Sequence, residues 1–148
     1  MKNRIFNRCV ALRALPLLLV GLCLATTATS GTPGVTVFNV SNSGATSWII
    51  DGVANPPLTL VRGRTYQFAL QNISAIHPFY INTTNTTGAA SQFTTGVTNN
   101  GATGNTVIEF VVPVSAPDPL FYNCGNHASM NGTLTIINDP IFAAGFDQ

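Results

Sequence analysis

The chain has 148 residues, 45% of them hydrophobic and only 7% charged, with a formal net charge of +1. Four of the six basic residues fall in the first thirteen positions, so residues 31–148 keep Arg62 and Arg64 against Asp51, Glu109, Asp118, Asp139 and Asp147, a formal −3 with no lysine. That balance leaves no basis for nucleic-acid binding or for an anionic membrane surface, both of which need clustered cations, and the length suits one domain with its own core.

The chain opens with Lys2, Arg4, Arg8 and Arg13 and no acidic residue. An apolar run follows from Ala14 to Ala25, broken by Pro16 and Gly21, and then small residues to Gly31. That order predicts a secretory signal peptide over residues 1–30, cleaved after Ser30, with a cut after Ala28 as the near alternative. The apolar run is about half the ~20 residues that span a bilayer, which argues against a retained membrane helix. Leu22 is too bulky for the usual position before a lipidated cysteine, so Cys23 is not read as an anchor. The product is expected to be soluble, and periplasmic or secreted.

Beyond the leader, short β segments are punctuated by Gly, Pro, Asn and Ser, and no ten-residue stretch carries a helical apolar period. The predicted strands are Val35–Val40, Thr46–Asp51, Pro57–Val61, Thr65–Asn72, His77–Asn82, Thr106–Val112, Pro119–Cys124 and Gly132–Ile137. Tyr66, Phe68 and Leu70 alternate with Gln67 and Ala69, and Ile108, Phe110 and Val112 oppose Glu109, so each strand has one core face. About eight short strands predict an all-β Greek-key sandwich or barrel over residues 31–138. Residues 83–105, rich in Thr, Asn, Gly and Ser, read as a solvated crossover in preference to a binding loop. Residues 139–148 form a separate C-terminal tail.

The uncommon residue types fall together. Cys9 and Cys23 leave with the leader, so Cys124 stands alone in a compartment where thiols normally pair or oxidise. Residues 31–148 hold two histidines, one cysteine and one methionine, and three of these four lie in Cys124-Gly-Asn-His127-Ala-Ser-Met130. The fourth, His77, opens an earlier predicted strand, and its parity with Phe79 and Ile81 matches that of Cys124 with Leu120 and Tyr122. Separately, each has a bland reading: a buried thiol, a satisfied histidine, a core methionine. Together they are the donors one copper ion takes: a soft thiolate, two neutral imidazoles and a weak axial thioether, in a geometry between the preferences of Cu(II) and Cu(I). Gly125 gives the backbone room for the tight loop.

The stretch Tyr122-Asn-Cys124-Gly-Asn-His127-Ala-Ser-Met130-Asn-Gly132 resembles the ligand loop of the cupredoxins, or blue copper proteins, and its Cys-x-x-His-x-x-Met spacing is similar to that of amicyanins. The resemblance spans roughly residues 33–138. It implies an eight-stranded Greek-key fold, one type 1 copper and electron transfer, with His77 in the place of the upstream histidine ligand. In plastocyanin-like members an asparagine commonly follows that histidine and braces the ligand loop. Here the position is Pro78, which has neither an N–H nor a side-chain donor, leaving the bracing to Asn123 or Asn126.

The leading expectation is a monomeric one-electron carrier that works with a redox protein partner. Its rivals are a copper storage or delivery protein that does not cycle the ion, and a structural or adhesive β-domain. An enzyme is not expected. Multicopper oxidases and copper nitrite reductases need histidines for a second copper site, and no third histidine is present; the binuclear site of oxidase subunit II needs two loop cysteines.

Overall fold

The computed structural model describes residues 34–139. The expected leader, and the tail beyond Asp139, lie outside the described residues. Ten strands follow in chain order: β1 (Thr36–Ser43), β2 (Ser47–Ile50), β3 (Val53–Ala54), β4 (Leu58–Val61), β5 (Thr65–Leu70), β6 (Phe79–Asn82), β7 (Val97–Thr98), β8 (Val107–Val111), β9 (Leu120–Cys124) and β10 (Asn131–Ile137). No helix among the described residues is long and apolar enough to cross a membrane.

The strands form two mixed sheets, ordered β3-β2-β1-β5-β8-β7 and β4-β10-β9-β6. β1 runs parallel to β5 and β4 parallel to β10; the remaining pairs are antiparallel. The alternation read from the sequence is the alternation observed. Tyr66, Phe68 and Leu70 are buried, while Gln67 lies opposite Glu109 on the other face and donates to its carboxylate at 2.9 Å. Residues from both sheets, including Trp48, Phe68, Phe110, Phe79, Tyr122 and Leu134, join one buried cluster. This is an all-β sandwich, as expected.

All eight predicted strands are present, and two more appear. β3 and β7 have two residues each, too short for alternation to register, and both lie at the edges of the larger sheet. The strand expected to open at His77 begins instead at Phe79. Pro78 cannot donate to a ladder, and the His77 N–H is taken up in a turn by the Ser74 carbonyl at 2.8 Å.

The polar tract 83–105 is largely at the surface, as its composition suggests, yet it closes the free edge of β6. The Asn100 side chain stands in for a neighbouring strand: its Oδ1 accepts from the Ile81 N–H at 2.8 Å and its Nδ2 donates to the Ile81 and Phe93 carbonyls at 3.1 and 2.8 Å. The Phe93 N–H donates to Ile81 O, Gly101 N–H to Phe79 O, and Phe79 N–H to Ala102 O. A strand edge that would otherwise expose unpaired backbone groups is thereby satisfied. Gly101, at φ +85°, lies so close under the Tyr80 ring that an added Cβ would come within 2.4 Å of it.

At the far end of β10 both arginines of the described residues are engaged. Arg62 donates to the Ile136 and Ala116 carbonyls and to Asn138 Oδ1, and Arg64 pairs with Asp139 at 2.9 Å.

Candidate metal centre

The antiparallel register of β6 and β9 sets Phe79 opposite Cys124 at the end of the smaller sheet. His77 stands two residues before Phe79, so the end of that strand pair brings it to the thiol. Cys124 Sγ lies 3.7 Å from His77 Nδ1 and 3.6 Å from His127 Nδ1. The two imidazole rings are 4.6 Å apart between centroids and inclined at 46°. One donor atom from each of the three residues falls within 4.8 Å of the other two.

The cluster is shielded from water. Cys124 has no exposed surface, His77 is 4% exposed, and His127 is partly buried. Burial, and then the charge that His127 can carry, push the His77 imidazole below the usual histidine range, favouring the neutral form that can donate to a metal. Met130, the fourth residue named from the sequence, is fully buried, and its carbonyl accepts from the Cys124 N–H at 2.9 Å. The Met130 N–H donates in turn to His127 O at 3.1 Å, which closes residues 124–130 into a compact loop.

The donor spacing can be tested against a metal. Bonds of about 2.0–2.3 Å to nitrogen and sulfur, opened by roughly 110–120°, put those two atoms about 3.5–3.8 Å apart. Both Sγ–Nδ1 separations, 3.7 and 3.6 Å, fall in that interval, so each imidazole stands at a distance from the sulfur that suits a shared ion. His77, Cys124 and His127 make up a potential metal site, with Met130 buried on the same loop.

Residues that motif spacing did not single out hold this loop. The Asn123 amide donates to Asn85 Oδ1 at 2.7 Å, Asn85 to Asn131 Oδ1 at 3.2 Å, and Asn131 to Ala128 O at 2.6 Å. On the other side Asn55 Nδ2 donates to Ser129 O and Ser129 Oγ to Ala45 O. Towards His77, the Gly125 N–H donates to Pro78 O at 2.8 Å and Asn126 Nδ2 to Ile76 O at 2.8 Å. Both asparagines named as possible braces therefore act, in different directions. Asn85, Asn55 and Ser129 carry no signal in a chain so rich in amides and hydroxyls; only their long-range partners distinguish them.

Gly125 is needed for a reason sharper than loop tightness. A Cβ there would lie 2.5 Å from Pro78 Cγ and 3.1 Å from Tyr80 Cε2, and a proline ring has little freedom to yield. Gly125→Ala is expected to lower stability by about 1–3 kcal/mol through overpacking, read as a lower midpoint in urea. A midpoint equal to that of the parent would contradict the packing described.

No protein-family model matches this sequence, and no curated protein matches it. Solved structures do. A crystal structure of a rusticyanin variant is 19% identical, with a TM-score of 0.48 over 72% of this chain and 78% of that one. Reduced rusticyanin is 20% identical, with a TM-score of 0.47 over 72% of this chain and 81% of that one. Auracyanin A, a blue copper protein of the green thermophilic photosynthetic bacterium Chloroflexus aurantiacus, is 18% identical, with a TM-score of 0.45 over 71% of this chain and 99% of that one. The described residues of this chain form an all-β sandwich with a buried thiol and two imidazoles converging at one end.

Proposed function

We propose that this chain is an exported one-electron carrier holding a single copper ion through His77, Cys124, His127 and Met130. The observation that carries the reading is the convergence of one buried thiol and two imidazole nitrogens at separations that suit a single ion. Copper, when bound, supplies a one-electron couple between Cu(II) and Cu(I). The chain's own residues do the rest. Burial of Cys124 and His77 keeps water from the donors, and the loop bonds hold the donor spacing whatever the ion's charge. Little rearrangement then accompanies gain or loss of an electron, the condition for fast transfer. A thiol with no exposed surface is poorly placed to attack a substrate, so the same residues argue against a nucleophilic enzyme. Residues 1–30 are proposed as the removed leader, residues 139–148 as a tail, and a redox protein as the partner of a monomer.

The direct test is to load the purified processed protein with Cu(II) and titrate it electrochemically. The carrier reading expects intense visible absorption that bleaches and returns over repeated one-electron cycles. Stoichiometric copper that binds without colour or reversible reduction would replace it with storage or delivery. Met130→Leu refines the site: copper and colour should survive, because three stronger donors remain, while the reduction potential rises on loss of a weak donor. Complete loss of copper would make Met130 a principal ligand and favour Cu(I) handling instead.

A further inference from the structure

We propose that Asn126 is a positioning residue of this centre: its side-chain amide ties the loop bearing Cys124 and His127 to the segment bearing His77. The inference rests on the copper reading and extends it to a residue outside the ligand set.

His77 sits in a turn ahead of β6, so no strand ladder fixes it. Two bonds from the ligand loop bracket it instead. The Gly125 N–H reaches Pro78 O on one side, and Asn126 Nδ2 reaches Ile76 O on the other, each at 2.8 Å. The second bond joins the residues immediately preceding the two histidines, so it acts directly on the separation of the imidazoles. Packing does not duplicate it, because the Ile76 side chain is 59% exposed. Nor can Pro78 return a bond, since it has no N–H. The backbone N–H of the same Asn126 faces Cys124 Sγ at 3.5 Å, so a shift of this residue also alters the surroundings of the sulfur. Asn126 is itself exposed, and one exposed neutral hydrogen bond is a small part of global stability. Its loss should therefore appear as local opening around the thiol and not as unfolding.

The test compares Asn126→Ala with Asn138→Ala, whose side chain accepts from Arg62 at the opposite end of β10. The first measurement uses processed, metal-free protein, where Cys124 is the sole thiol, and follows its reaction with an aromatic disulfide reagent. Removing one neutral hydrogen bond should speed the reaction about fivefold in Asn126→Ala, with the unfolding equilibrium shifted by no more than the same factor and no change of thiol rate in Asn138→Ala. The second measurement uses Cu(II) as the probe. Asn126→Ala should bind it about 10-fold more weakly or worse, as for other residues that orient ligands, and its visible band should shift. Equal thiol rates, or equal acceleration in Asn138→Ala, would overturn the proposal even if copper binds well. Separated thiol rates in a protein that takes up no copper would instead leave the brace standing and bring down the copper reading.

Discussion

Cys124→Ser is expected to abolish the intense visible absorption of the copper-loaded protein. The colour of such a centre arises from the copper–thiolate bond, and Cys124 is the only cysteine in residues 31–148. A serine hydroxyl at this position remains neutral and hard, so it replaces neither the donor strength nor the softness of sulfur. The fold should survive, because the change only removes volume at one end of the sandwich and leaves the aromatic core in place. The check is an absorption spectrum at equal copper loading, beside a circular dichroism spectrum of the metal-free variant. A folded serine variant that kept the visible band would show that the copper lies elsewhere.

The largest expected loss of stability comes from Phe79→Ala. The Phe79 ring is fully buried where the sheets meet: 4.9 Å from the Trp48 ring edge-on, 5.4 Å from Phe68, and stacked on Tyr122 at 5.6 Å. Its truncation removes three aromatic contacts and opens a cavity that the surrounding strands cannot collapse into, at a cost of about 3–5 kcal/mol. Against a domain stability of roughly 5–15 kcal/mol, that is a large share. Urea unfolding should show a much lower midpoint with a similar slope. A cost below about 1 kcal/mol would mean that the ring does not join the two sheets as described. Phe79 also pairs with Cys124 across the register, so copper binding should weaken in the same variant.

Much of this architecture is written in the order of residues. Alternation marks β5 and β8 because one face of each meets a core and the other meets water. The site was legible for a different reason: in a chain this poor in histidine, cysteine and methionine, three such residues within one loop stand out. Register and strand start were not legible. The sequence places His77 in the same run as Phe79, and only the backbone shows that the proline between them keeps it out of the ladder. The braces were hidden by abundance. Asn85, Asn100 and Asn126 look like any other amide in a polar loop, and their importance lies in partners 19 to 50 positions away in the chain. A two-residue strand such as β7 exists because β8 offers it an edge, a property of the partner more than of Val97 and Thr98.

The strap of residues 83–105 divides its own positions into two kinds. Asn100 and Gly101 are fixed by what they touch, the backbone of Ile81 and the ring of Tyr80. Thr84, Thr87, Ala89 and Ala90 face solvent. Substitution of these four side chains is expected to leave the edge of β6 closed, whereas a change at Asn100 reopens it, and Asn85 in their midst stays fixed by its bonds to Asn123 and Asn131. The strap thus gives this protein a surface that can diversify without disturbing the buried donors a few residues away. A lineage that needed to recognise a new neighbour could rewrite that surface while keeping the metal-binding end unchanged.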